Sequence, residues 1–192
     1  MHLAALVIAS GCILLGIFLL TNRQEQQTEE TSNESWKTVS SDREESTTPE
    51  HTTTPQIKTN DISYKNENYG FTFEHPKSVA ISEIAEDTGT IIFAQGTSEE
   101  TSFQIFITPW DETLTVMTAE RIHHDLPKAT IENPQEIVID SGTHALMFEG
   151  QAEGVGQTRE VWVIHSGSLY QITTPLVFDN ELGKIMHTWR FE

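Results

Sequence analysis

Arg159 to Thr174 reads R-E-V-W-V-I-H-S-G-S-L-Y-Q-I-T-T, and its interpretation decides the fold. Val161, Trp162, Val163 and Ile164 form an apolar run too short for a helix. β-Branched and aromatic residues dominate it, which predicts a strand covered on both faces. Ser166-Gly167 supplies the positive φ of a tight turn, and Leu169, Tyr170 and Ile172 return as the partner strand. The pair predicts the centre of an antiparallel sheet whose apolar faces need helices over them. On this reading Trp162 belongs to the core and not to a binding surface.

Working outward, the same alternation recurs on both sides of this hairpin. Tyr64 and Gly70 to Glu74 read as two strands, with Asn66-Glu67-Asn68 as turn chemistry between them and His75-Pro76 closing the second. Val79 to Ile84 and Thr90 to Ala94 follow, joined by Asp87-Thr88-Gly89. Phe103, Ile105 and Ile107 alternate with Gln104, Phe106 and Thr108 up to Pro109. Ile137 to Ile139 and Ala145 to Glu149 make a further hairpin through Ser141-Gly142.

The period changes twice. Thr118 caps a predicted helix whose Ala119, Ile122 and Leu126 share one face, with Glu120 at the positive end of the dipole and Pro127 as the stop. Asp179 is the expected cap of a second helix, with Leu182, Ile185, Met186 and Trp189 as its buried stripe. These elements fill residues 61–192, expected to form one domain able to fold without the rest of the chain. No internal repeat is visible.

The preceding segments are of other kinds. Leu3 to Leu20 is almost unbroken apolar sequence, close to the ~20 residues that span a bilayer core. It is long for a signal peptide and lacks a basic leader, so an uncleaved transmembrane anchor over residues 1–20 is expected. Ala9-Ser10-Gly11-Cys12 also resembles a bacterial lipoprotein processing site, which makes Cys12 a candidate for lipidation; the other reading is an ordinary cysteine in a hydrophobic helix. Residues 21–60 are rich in Thr, Ser, Glu and Gln, with Trp36 their only aromatic, and bury too little apolar surface to order themselves. A flexible linker is expected, with an r.m.s. span of roughly 35 Å. Asn33-Glu34-Ser35 matches a glycosylation acceptor, relevant only in a eukaryotic secretory route. Arg23 is the nearest basic residue to the apolar run, thin evidence for orientation. The architecture of anchor, linker and domain places the domain outside the cytoplasm, at the cell membrane.

Composition narrows the partners. Eleven basic residues face 29 acidic ones, a formal charge of −18, and from Asp61 onward the count is seven against 21. Such a surface repels phosphate backbones and anionic bilayers, so no nucleic-acid partner is expected. Cys12 is the only cysteine, which leaves the domain without a disulfide or a thiol nucleophile.

No catalytic constellation stands out. Gly150, Gly154 and Gly156 have no Lys and lie between two predicted strands, so they read as a long hairpin loop, not a phosphate cradle. His123 and His124 diverge by about 100° on a helix, and no His-x-x-x-His pair exists. With His75, His144 and His165 they converge only through tertiary structure. Ser141 and Ser166 fit turns, and Asp111-Glu112 precede a helix where acidic residues are common. No catalytic, cofactor-binding or metal-ligating residue is assigned.

Tyr69-Gly70-Phe71-Thr72-Phe73-Glu74-His75-Pro76, Val161-Trp162-Val163, Leu169-Tyr170-Gln171-Ile172 and the terminal Thr188-Trp189-Arg190-Phe191 together resemble the PsbP-like domain. That resemblance implies an α+β fold, an antiparallel sheet covered by helices as an α/β/α sandwich. It also implies a non-catalytic binding or assembly module, of the kind found behind membrane anchors in bacterial proteins. The functional expectation is a membrane-tethered extracytoplasmic module for a protein partner or envelope component. The alternative is a hydrolase with a site assembled from dispersed Asp, Glu and His. Convergence of titratable side chains in one deep pocket discriminates between them.

Overall fold

The structure, a computed structural model, describes residues 61–140 and 142–192. The anchor expected over residues 1–20, with Cys12, and the linker expected over 21–60 lie outside the described residues, as does Ser141. No helix among the described residues is long and apolar enough to cross a membrane.

Strands β1 (Asp61–Asn66) and β2 (Phe71–Pro76) are followed by β3 (Ala80–Glu86), β4 (Gly89–Gln95) and β5 (Phe103–Pro109). Helix α1 (Ala119–Asp125) leads into β6 (Glu132–Ile139), β7 (Thr143–Ala152), β8 (Gly156–His165) and β9 (Ser168–Pro175). Helix α2 (Asp179–Thr188) and the short β10 (Arg190–Phe191) close the chain. The strands form two antiparallel sheets, a seven-stranded one in the order β3-β4-β5-β9-β8-β7-β6 and a three-stranded one in the order β1-β2-β10.

The hairpin of β8 and β9 lies at the middle of the large sheet, as its sequence predicts. Val163 pairs with Tyr170 and Val161 with Ile172. Its turn has φ of 47° at Ser166 and 74° at Gly167, the double positive φ that matches strand twist in a two-residue hairpin. Because side chains alternate along a strand, one parity faces each side of the sheet. Ile105, Ile107, Val161, Val163, Tyr170 and Ile172 pack on one side, against Leu182, Ile185, Met186 and Trp189 of the α2 region and Phe71 and Phe73 of the small sheet. Leu146, Phe148, Trp162, Ile164 and Leu169 face the other side, against Trp110, Met117 and Ile122.

The expected helix cover is therefore met differently on the two faces. On the first, α2 shares the layer with the three-stranded sheet, whose third strand is the chain's own Arg190–Phe191 paired to β2. On the second, α1 and the segment leading to it cover only the β7–β8–β9 side. That segment is pinned at its start: the Trp110 N–H donates to Gly167 O (2.8 Å) and Trp110 Nε1 donates to Leu114 O (2.8 Å). The Arg121 guanidinium lies 5.3 Å over the Trp110 ring and pairs with Glu112 and Asp125. Thr118 caps α1 as expected, accepting from the Arg121 N–H.

Three expectations are corrected. Asp179 does not cap α2. The 3₁₀ turn Leu176–Phe178 runs straight into the helix, Asp179 already has φ of −52°, and its carboxylate accepts two bonds of 2.9 Å from Arg159 on β8. The glycine-rich stretch is not a long loop, because β7 and β8 pair out to Ala152 and Gly156 and leave only Glu153, Gly154 and Val155 between them. The strand expected at Ile137–Ile139 begins at Glu132, extended by exposed polar residues and an irregularity before Gln135.

Candidate functional site

The side of the large sheet that α1 roofs holds a half-open cavity of about 480 Å³. Its floor follows from strand register. Phe148, Glu160, Thr173 and Gln104 lie side by side across β7, β8, β9 and β5, and Leu146, Trp162, Gln171 and Phe106 form the next row. All but Leu146 line the cavity, and Ile122, Asp125, Leu126 and Lys128 come in from the roof. Past Gln104 and Thr173 the face continues into a second hollow of about 190 Å³ beside Ile84, Phe93 and Val155, with Glu99 of the 3₁₀ turn Glu99–Thr101 at its edge.

Glu160 is the only carboxylate on that floor. Thr158 donates to its Oε1 (2.8 Å), Thr173 to its Oε2 (2.7 Å), and Trp162 Nε1 lies 3.4 Å from Oε2. No ion pair reaches it among the described residues, although protein surrounds the carboxyl group closely. Part of the residue remains accessible, through the cavity. Burial pushes its pKa up, and the bonds from Thr173, Thr158 and Trp162 offset only part of that push. Gln104 and Gln171 are 6% and 7% exposed, and Gln104 Oε1 and Gln171 Nε2 have no hydrogen-bond partner among the described residues. Buried amide atoms are normally satisfied, so an unused acceptor and an unused donor beside a cavity mark a place for a ligand.

Gly150 makes this arrangement fit. It sits opposite Thr158, and a Cβ there would lie 2.9 Å from Thr158 Oγ1 and 3.1 Å from Glu160 Cγ. Thr158 is fully buried and cannot swing aside. Gly150→Ala is expected to destabilise the domain by about 1–2 kcal/mol, overpacking outweighing the ~0.4–1 kcal/mol gained from a stiffer unfolded chain. Thermal unfolding checks this, and a melting temperature at or above the parent's refutes it.

The raised pKa of Glu160 has a signed consequence. In the unfolded chain a glutamate ionises near ~4.3, whereas the folded chain holds its proton to higher pH. Between those two values the native state binds more protons, so this group's contribution to stability falls as pH rises and then levels off. Glu160→Gln removes the effect. Melting curves taken from acid to mildly alkaline pH should show the variant gaining on the parent as pH rises. Parallel curves would mean that Glu160 titrates as it does in the unfolded chain.

Trp162 is 6% exposed and sits in the second-face core, as expected, but it also lines the cavity, which the expectation of a purely structural residue missed. The histidines do not come together. His75 is buried, with Nδ1 against Pro76 O, His144 pairs with Glu136, and His165 stacks on Phe191 at 3.8 Å. His123 is exposed, and His124 bonds Asp125. Asp111 and Glu112 are exposed, Glu112 being bound to Arg121. Ser166 serves its turn. Among the described residues no group of three His, Cys, Asp or Glu is placed to hold a metal.

The missed residues are Glu160, Gln104 and Gln171. Glu160 had a signal: it shares the parity of Trp162 and Ile164, so the alternation that buries them turns Glu160 inward too.

Neither a family model nor a curated protein sequence matches the chain. Its fold is similar to the solution structure of cyanobacterial PsbP (CyanoP) from Synechocystis sp. PCC 6803, with a TM-score of 0.53 and 12% identity over 69% of this chain and 92% of that chain. At that identity the likeness concerns fold alone, and it meets the expectation drawn from the sequence motifs: antiparallel sheets with a few helices, in a PsbP-like domain.

Proposed function

We propose that this protein is a non-catalytic binding module, carried outside the cytoplasm on an N-terminal anchor and a flexible linker. Its PsbP-like domain takes a small component of the cell envelope into the cavity over β5, β9, β8 and β7. The observation that carries this reading is the cavity itself, with hydrogen-bonding capacity at Gln104, Gln171 and Glu160 that the protein leaves unused. A PsbP-like fold is consistent with binding or assembly. Among the described residues no histidine, cysteine or serine lines the cavity, and its second carboxylate, Asp125, is engaged by Arg121. A hydrolytic reading lacks a comparable observation in its favour.

The test is an unbiased thermal-shift screen of the full-length chain in detergent against small envelope components and metabolites. A ligand at about a hundred times its Kd adds ~2.7 kcal/mol, a shift of several degrees for a domain of this size. Hits recovered chemically unchanged support the proposal, and hits converted to product overturn its non-catalytic part. For location, protease added to intact cells should release the domain. Protection that ends only when the inner membrane is permeabilised overturns the extracytoplasmic placement.

A further inference from the structure

Resting on the reading of this cavity as a binding site, we propose that its ligand is a small organic ammonium ion, held with its positive centre beside the Glu160 carboxylate and against the rings of Trp162 and Phe148. The argument begins with charge. A carboxyl group taken out of water either keeps its proton or, once ionised, calls for a cation, and among the described residues Glu160 meets only two hydroxyls and an indole N–H. These neutral donors fix its orientation without neutralising it. One Oε1 lone pair stays free, since that oxygen accepts from Thr158 alone while Oε2 takes the other two bonds.

The surroundings select the kind of cation. A calcium ion takes roughly six to eight oxygen ligands and magnesium needs a near-octahedral set, whereas this floor offers one carboxylate, amides and aromatic rings. Aromatic faces attract weakly hydrated ammonium centres and do little for a hydrated metal ion. Three aromatic residues line the cavity; Phe148 and Trp162 flank the carboxylate, and Phe106 lies two strands away on β5. Phe148 stands directly opposite Glu160, and Trp162 is the next residue of the same parity on β8. Gln104 and Gln171, each with one amide atom unpaired among the described residues, are the neutral polar side chains nearest to this group on the floor. A formal charge of −18 raises the local concentration of any cation around the chain.

Binding is expected to be linked to pH through Glu160. The charged groups facing it from the roof are Asp125 and Lys128. Burial pushes Asp125 upward, but bonds from His124 and Arg121 win and hold it below the ordinary carboxylate range. His124 reaches the cavity only through Asp125, and Lys128 is exposed at the rim. The strands add only neutral side chains. A permanently charged ligand should therefore bind more tightly as pH rises through the elevated pKa of Glu160, and then no further.

The experiment is calorimetric titration of the full-length chain, in an uncharged detergent free of choline groups. The probes are choline and its neutral isostere 3,3-dimethylbutan-1-ol. Choline is expected to bind, with the isostere at least about tenfold weaker, because a desolvated cation–π contact with a carboxylate nearby separates the two. Glu160→Gln should lose about 30-fold or more in choline affinity and all of the pH dependence, with its circular dichroism unchanged. Equal affinity for choline and the isostere overturns the ammonium proposal while leaving the cavity a binding site. Choline binding that Glu160→Gln leaves intact overturns it as well. No heat from either probe at millimolar concentration also overturns it, and the unbiased screen then decides separately whether the cavity binds anything.

Discussion

Trp189→Ala is expected to lower the melting temperature by more than any other single substitution on the first face of the sheet. The indole is fully buried, stacked on Phe71 at 4.5 Å and on Phe73 at 5.3 Å, with Tyr170 and Phe191 edge-on at 6.5 and 5.8 Å. It thus joins the end of α2, the small sheet and the large sheet in one cluster. Truncating such a side chain costs ~3–5 kcal/mol. The upper end applies here, because the void is sealed by rings that cannot collapse into it without breaking their own stacking. Against a total of ~5–15 kcal/mol, that leaves a marginal or unfolded domain, with a drop on the order of 15 °C if it still folds. Trp189→Phe separates packing from polarity. Trp189 Nε1 has no partner among the described residues, so phenylalanine removes an unsatisfied donor worth ~1–3 kcal/mol while giving up some volume. Its net cost should stay within about 1–2 kcal/mol. Denaturant unfolding of both variants checks the pair, and near-parental stability of Trp189→Ala would show that the two layers hold without it.

Much of this packing is legible in the sequence. The Ser166-Gly167 turn fixed the register of β8 and β9, and alternation then assigned Val161 and Val163 to one face and Trp162 and Ile164 to the other. Helix α2 declared itself through Leu182, Ile185 and Met186 at helical spacing. These signals are local, a turn chemistry and a period, and local physics decides them. Where pairing is remote, the sequence was silent. Arg190–Phe191 becomes a strand only because Phe71 and Thr72 lie beside it, more than a hundred residues earlier. The polar start of β6 carries no hydrophobic alternation, since an exposed edge strand requires none.

The site was harder to read than the fold for the same reason. Gln104, Gln171 and Glu160 lie on three strands, and only the pairing of β5 with β9 and of β9 with β8 brings them onto one floor. Each looked ordinary alone, a polar residue in an alternating segment. The clue was inward parity, strongest for Glu160, because a charged side chain on a buried face needs a reason to be there. Asp179 shows the opposite failure. Its place before a helix made it look like a cap, yet Arg159 claims the carboxylate across the layer, and tertiary charge outweighs the local preference.

Trp162→Ala is the corresponding prediction for the second face, and there packing and recognition are separable. Trp162 packs with Leu146 beside it, Phe148 at 5.9 Å and Ile122 in the same cluster, and it is 6% exposed. Truncation should cost about 3 kcal/mol, toward the lower end for a buried tryptophan. The void would open into a cavity already present, so water can enter where the Trp189 site admits none. A fall in melting temperature of around 10 °C is expected. Trp162→Phe keeps a ring against Phe148 and gives up only the long 3.4 Å bond to Glu160, so it should melt within a few degrees of the parent. Replacing Trp36, which sequence places in the linker, supplies the control and should leave the melt unchanged. The phenylalanine variant then isolates recognition. If Trp162 faces a bound cation, binding should weaken severalfold in a protein that is otherwise intact, because benzene attracts cations less strongly than indole. A Trp162→Ala protein that melts like the parent while losing its ligand would make the residue a recognition surface alone, and would remove it from the core.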